Sequence, residues 1–153
     1  MKRSLIALAA TAVLGLVATS ASAHVSPNTI LITHQQRGCH AWSLGTRTPY
    51  KAALSTKLAR GASLTIVNND AMAHQIFQTA GPRVAIKKVS STMMDMSHEF
   101  KGSGVMGHPG ASVKMVFSKA GVYKFKTRFG EDYMKMPDTI GEDNTLTLKI
   151  VVG

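Results

Sequence analysis

Gly61-Ala62-Ser63-Leu64-Thr65-Ile66-Val67-Asn68-Asn69-Asp70-Ala71-Met72-Ala73-His74 is the stretch on which the reading of this chain turns. Leu64, Ile66 and Asn68 fall on one side of an extended segment, and Thr65 and Val67 fall on the other. This period of two is that of a strand with one covered face. The Asn-Asn-Asp run then breaks the strand with turn chemistry, because short polar side chains hydrogen-bond their own backbone. A histidine follows directly. Downstream, Tyr123, Phe125, Thr127 and Phe129 share one face opposite Lys124, Lys126 and Arg128. Apolar-in, polar-out alternation of this kind predicts antiparallel sheets packed face to face.

Working outward, short runs rich in Val, Ile, Thr, Phe and Tyr alternate with Gly, Pro and Asn. The expected strands are Asn28–His34, Cys39–Leu44, Lys51–Leu58, Ser63–Asn68, Gln75–Thr79, Val84–Val89, Ser112–Ser118, Val122–Phe129 and Asn144–Val152. Arg60-Gly61 and Lys119-Ala120-Gly121 supply turns. The pattern fails between Ser90 and Gly110, which reads as a long loop with, at most, one helical turn.

The N-terminus sets the compartment. Lys2 and Arg3 precede an apolar run from Leu5 to Ala18, and Ala21-Ser22-Ala23 has the small-x-small pattern of signal-peptide cleavage. Residues 1–23 are therefore expected to be a signal peptide and 24–153 a single exported domain, periplasmic or secreted. No later stretch is apolar enough to span a membrane. The full chain carries a formal charge of +10, and removal of Lys2 and Arg3 takes away two of those charges. The remaining Lys and Arg residues are dispersed, and no nucleic-acid motif accompanies them. Five of the eight acids lie between Glu131 and Asp143, an acidic loop in a basic protein. A single cysteine, Cys39, excludes an internal disulfide and leaves it buried, paired between molecules, reactive or metal-bound.

Two constellations carry a family resemblance: Gly61 to His74, and Ser118-Lys119-Ala120-Gly121-Val122-Tyr123-Lys124-Phe125-Lys126-Thr127. Together, over about Leu58–Val152, they resemble the cupredoxins. The resemblance implies an all-β, cupredoxin-like Greek-key β-sandwich, copper as the cofactor and His74 as a copper ligand. It also implies a copper-transfer or redox partner protein. In that family the second strand brings a Cys, and the loop after it a second His and usually a Met. Here Thr127 stands at the Cys position, and no His follows it. A blue-copper centre needs two His nitrogens and one thiolate in a near-trigonal array. A blue site of ordinary construction is therefore excluded.

Other residues can fill the set. Cys39 and His40 adjoin each other before Trp42, although neighbours in a rigid strand point to opposite faces unless Gly38 bends the chain. Met134 and Met136 sit where the family takes its axial Met, alternating about Lys135, and Glu131 or Asp132 offers a harder oxygen. The expected metal ligands are His74, His40, Cys39, Met134 and Met136. A separate group, Met93, Met94, Met96, His98, Met106 and His108, has the composition of a Cu(I)-capturing loop, although Met also fills irregular cores. Cleavage after Ala23 would expose His24, whose amine and imidazole suit Cu(II). The readings carried forward are copper carriage or one-electron transfer, a metal-free partner-binding module of the same fold, and a copper enzyme using His24. No Ser-His-Asp arrangement, phosphate-binding Gly loop or zinc-protease motif is present.

Overall fold

The structure, a computed structural model, describes residues 28–46, 49–89, 100–130 and 145–153. Residues 1–23, expected to be a signal peptide, together with His24, Met93, Met94, Met96, His98, Glu131, Asp132, Met134 and Met136, lie outside the described residues. Among the described residues, no helix is long and apolar enough to cross a membrane.

Ten strands are described: β1 (Thr29–His34), β2 (His40–Leu44), β3 (Ala53–Leu58), β4 (Ser63–Asn68) and β5 (His74–Ala80) come first. β6 (Ile86–Lys88), β7 (Val105–Met106), β8 (Ser112–Val116), β9 (Gly121–Phe129) and β10 (Thr147–Val152) complete the set. They form two five-stranded sheets, β2-β1-β4-β8-β6 and β3-β10-β9-β5-β7. Among the described strands, only β1 with β2 and β9 with β10 are successive strands of the same sheet; every other successive pair is divided between the two layers. The all-β Greek-key sandwich expected from the sequence is the architecture found.

Alternation explains which residues fill the space between the layers. Leu64, Ile66 and Asn68 of β4 are fully buried, as are Tyr123 and Phe125 of β9, while Lys124 and Lys126 point out. Register lines the inward residues up across strands: Ile30 opposite Ile66, Ile66 opposite Val113, and Leu148 opposite Phe125. Phe117 packs edge-on against Tyr123, with ring centres 4.9 Å apart. The Tyr123 hydroxyl donates to the Lys119 carbonyl at 2.7 Å, which closes the turn that carries the chain from β8 in one sheet to β9 in the other. Tyr123 is thus a structural residue.

Two pairings position one end of the sandwich. β1 pairs antiparallel with β2, its last pair being His34 with His40, and parallel with β4, where Ile32 lies opposite Asn68. The Asn69 amide then donates to the Ile32 carbonyl at 2.8 Å. The turn after β4 is thereby fixed beside the β1–β2 hairpin, a neighbourhood that spacing along the chain does not disclose. β2 is an edge strand, and its outer side is partly covered by Lys51, whose backbone exchanges two hydrogen bonds with Trp42.

The stretch read as a loop between Ser90 and Gly110 contains β7, which pairs with the start of β5, Met106 opposite His74. Gly104 makes this pairing sterically feasible. Its carbonyl accepts the Ile76 amide, and a Cβ built on it would overlap the Ile76 carbonyl oxygen. Met106 is fully buried in the core cluster, so its role is packing. His108 is buried too, and its Nδ1 lies 2.8 Å from the Pro109 carbonyl, which it holds as a turn.

Candidate metal centre

The turn that leads to His74 is built by Asn68. This last inward residue of β4 donates from Nδ2 to the Met72 carbonyl at 2.8 Å and to the Met106 carbonyl at 3.0 Å. Its Oδ1 accepts the Asp70 amide at 2.9 Å, an Asx turn that curls the chain back on itself. The Met72 amide donates to Asp70 Oδ1 at 3.2 Å. The Asn68-Asn69-Asp70 motif therefore aims the Asp70 carboxylate inward, and β5 then begins at His74.

Asp70 is the hub of the site. Its Oδ2 accepts a hydrogen bond from His40 Nδ1 at 2.6 Å and from His74 Nε2 at 2.9 Å, and its Oδ1 lies 3.4 Å from His34 Nδ1. The carboxylate, His40 and His74 are completely buried. Burial pushes the Asp70 carboxyl up, yet hydrogen bonds from His40, His74 and the Met72 amide outweigh it. They hold it well below the usual carboxylate range. Burial likewise pushes the His74 imidazole below its ordinary value, against the pull of Asp70.

These two directions fix the tautomers. An ionised carboxylate can only accept, so the two ring nitrogens hydrogen-bonded to it, His40 Nδ1 and His74 Nε2, carry hydrogens. His74 is then a neutral ring protonated at Nε2, with a bare lone pair on Nδ1. That Nδ1 is buried and has no hydrogen-bond partner among the described residues. Leaving a buried polar atom unsatisfied costs about 1–3 kcal/mol. An imidazole held by a carboxylate on one nitrogen and bare on the other has the arrangement of a metal-ligating histidine with its orienting partner. The donors fit a copper ion.

Cys39 joins the cluster because it is not in the strand. It occupies the turn with φ +25°, after Gly38 at φ +66°, and β2 begins only at His40. Positive φ is uncommon for a residue with a Cβ and marks local strain, of order 1–3 kcal/mol. A rigid strand would send Cys39 and His40 to opposite faces; the bend at Gly38 is the feature that lets both face the site. Cys39 Sγ lies 3.7 Å from His34 Nδ1 and 3.8 Å from Met72 Sδ. The resulting donor groups overlap, His34/Cys39/His40 and His40/Asp70/His74, each with donor atoms within 4.8 Å of one another. Phe129 closes one wall, its ring centre 4.4 Å from that of His40.

Of the sequence-expected ligands, His74, His40 and Cys39 converge here; Met134 and Met136 lie outside the described residues. Thr127 is buried, with an Oγ1 that has no hydrogen-bond partner among the described residues, at the position where the resemblance expects a thiolate. Sequence reasoning missed His34, Asp70 and Met72 as site residues. One signal was available: His34 and His40 flank a Gly-containing loop of hairpin length.

No family model matches the chain, and no curated protein matches it. Among solved structures it is similar to a mutant amicyanin in the reduced state, at 15% identity and a TM-score of 0.42, over 86% of this chain and 88% of that one. It is also similar to the reduced Cu(I) form of another amicyanin mutant, at 16% identity and a TM-score of 0.38, with the same coverage. A cysteine protease inhibitor from Entamoeba histolytica is similar at 12% identity and a TM-score of 0.39, over 82% of this chain and 95% of that one. Likeness this distant extends to proteins of unrelated activity, so the site is read from its own geometry.

Proposed function

We propose that this is an exported copper-binding protein of cupredoxin-like build, periplasmic or secreted, that carries copper. His74 is the anchor ligand, and His40 and Cys39 stand within the same buried cluster. Met134 or Met136 would supply a further thioether. The observation that carries the reading is the buried Nδ1 of His74, without a hydrogen-bond partner among the described residues, in a ring whose tautomer Asp70 fixes. Bound copper would supply an ion that cycles between two oxidation states. The chain's own part is to hold the imidazoles in register, exclude water and keep the Asp70 carboxylate ionised.

One-electron transfer is the second reading, and Cys39 is what favours it. A thiolate arriving from the β1–β2 hairpin would replace the one absent at Thr127, giving a coloured centre unlike the ordinary blue one. Anaerobic titration with Cu(I) and then Cu(II), read by visible absorption and EPR, separates these readings. Stoichiometric Cu(II) binding lost in His74→Ala supports the copper reading. An intense visible band lost in Cys39→Ser favours electron transfer, whereas colourless binding favours carriage. Affinity no better than micromolar in the unmutated protein would leave a metal-free partner-binding module.

A further inference from the structure

The six donors of the cluster divide by chemical softness. On one side stand the imidazoles of His40 and His74, oriented by Asp70 Oδ2 through His40 Nδ1 and His74 Nε2, all nitrogen and oxygen. On the other, Cys39 Sγ stands between His34 Nδ1 at 3.7 Å and Met72 Sδ at 3.8 Å. We propose that His34, Cys39 and Met72 form a second ion position, selective for Cu(I) and other soft monovalent ions such as Ag(I). This inference rests on the copper reading of the centre and assigns its two oxidation states to different sides.

Distances carry the argument. A three-coordinate d10 ion, with about 2.3 Å to sulfur and about 2.0 Å to imidazole nitrogen, spreads a sulfur and a nitrogen about 3.7 Å apart and two sulfurs about 4.0 Å apart. The edges at Cys39 Sγ, 3.7 Å to His34 Nδ1 and 3.8 Å to Met72 Sδ, are close to both. As a hydrogen bond the thiol–thioether contact is weak, since S–H is a poor donor and a thioether a poor acceptor. Thiolate and thioether together select Cu(I), whereas imidazole and carboxylate suit harder ions. The strained turn at Cys39 is what presents the thiol here, and strain of this kind gathers at functional sites. Access follows from the fold. Gln36 and Arg37 at the hairpin tip are exposed, whereas the His34 side chain is 5% exposed and His40 and His74 are fully buried. The soft position is therefore the outer one. His34 Nδ1, 3.4 Å from Asp70 Oδ1, stands between the two positions.

The binding step balances simply. Cu(I) takes the place of the Cys39 thiol proton, one S–Cu bond forms as one S–H bond breaks, and the proton leaves to solvent. No electron moves.

The test is X-ray absorption on the Cu(I)-loaded mature protein, with competition titration against a chromophoric Cu(I) chelator, for the unmutated protein and Met72→Leu. The expected Cu(I) shell contains two sulfurs at about 2.3 Å. Met72→Leu, a volume-conserving change, should lose one sulfur and weaken Cu(I) by at least about tenfold. Ag(I) should follow the same pattern, and the Cu(II) EPR spectrum should not change. A Cu(I) shell of nitrogen and oxygen alone, or equal Cu(I) affinity in Met72→Leu, overturns the inference while His74-dependent Cu(II) binding still stands. Absence of both Cu(I) and Cu(II) binding in the unmutated protein overturns the copper reading and this inference with it.

Discussion

Asp70→Asn should destabilise the apo domain by about 3 kcal/mol, and the structure shows where that figure arises. The substitution keeps the volume and removes the charge. Asp70 Oδ2 accepts from two imidazoles, at 2.6 and 2.9 Å, and Oδ1 accepts the Met72 amide. A hydrogen bond to a charged group contributes about 1.5–3 kcal/mol, and a neutral one about 0.5–1.5. With the Asn oxygen in the place of Oδ2, both imidazole bonds fall to the neutral range, a loss of about 2 kcal/mol. The Asn amide then meets the Met72 amide donor to donor, adding about 1–3 kcal/mol. The opposite orientation is worse, since the amide then faces two ring N–H groups. Relief of the buried charge offsets part of the sum. Urea unfolding of apo protein at pH 7 reads the change directly, and thermal melting should show a fall of about 10 °C. Copper affinity should drop about 10–100-fold, because His74 loses its orienting partner. A loss under about 0.5 kcal/mol with unaltered copper binding would refute Asp70 as the group that holds the imidazoles.

Apo stability should fall in two steps on acidification. His74 and Asp70 both protonate at lower pH in the folded state than in the unfolded one. The unfolded chain therefore takes up protons first, and stability, full above about pH 7, declines below about pH 6.5 and again below about pH 4. A urea midpoint constant from pH 7.5 to pH 4 would contradict this. Gly104→Ala should cost about 1–3 kcal/mol and weaken copper binding, because the β7–β5 pairing that seats His74 must shift. Equal urea midpoints for Gly104→Ala and the unmutated protein would count against that. Met115→Ala, in the fully buried core away from the turn, should lose about 2–5 kcal/mol while leaving copper stoichiometry intact. Copper at a hundred times its Kd should add about 2.7 kcal/mol to unfolding free energy, seen as a concentration-dependent melting temperature.

The sandwich was legible in the sequence because alternation and turn chemistry are local. Ser63–Asn68 was read to the residue, since its apolar face and its Asn-Asn-Asp terminator are both written in consecutive positions. β7 escaped because two residues in a Gly-rich stretch carry no period; only the partner strand defines them. The site was legible in part. His74 follows its turn, and Cys39 and His40 announce themselves by type. His34 did not, because its place opposite His40 depends on register, which a hairpin's turn sets and composition does not. Asp70 was read as turn chemistry alone. Its partners come from three separate elements, and no spacing encodes a hub formed by tertiary contact.

Among the described residues, His40 hangs on an edge strand held along one side by β1 and along the other only by the Lys51 bridge. His74 belongs to the opposite sheet. An ion bound between them is thus clasped by two layers, one of which can fray. Its residence time will be set by how often β2 peels from β1, and not by bond strengths alone. Amide hydrogen exchange in β2 should therefore slow on loading, by a factor that follows the dissociation rate.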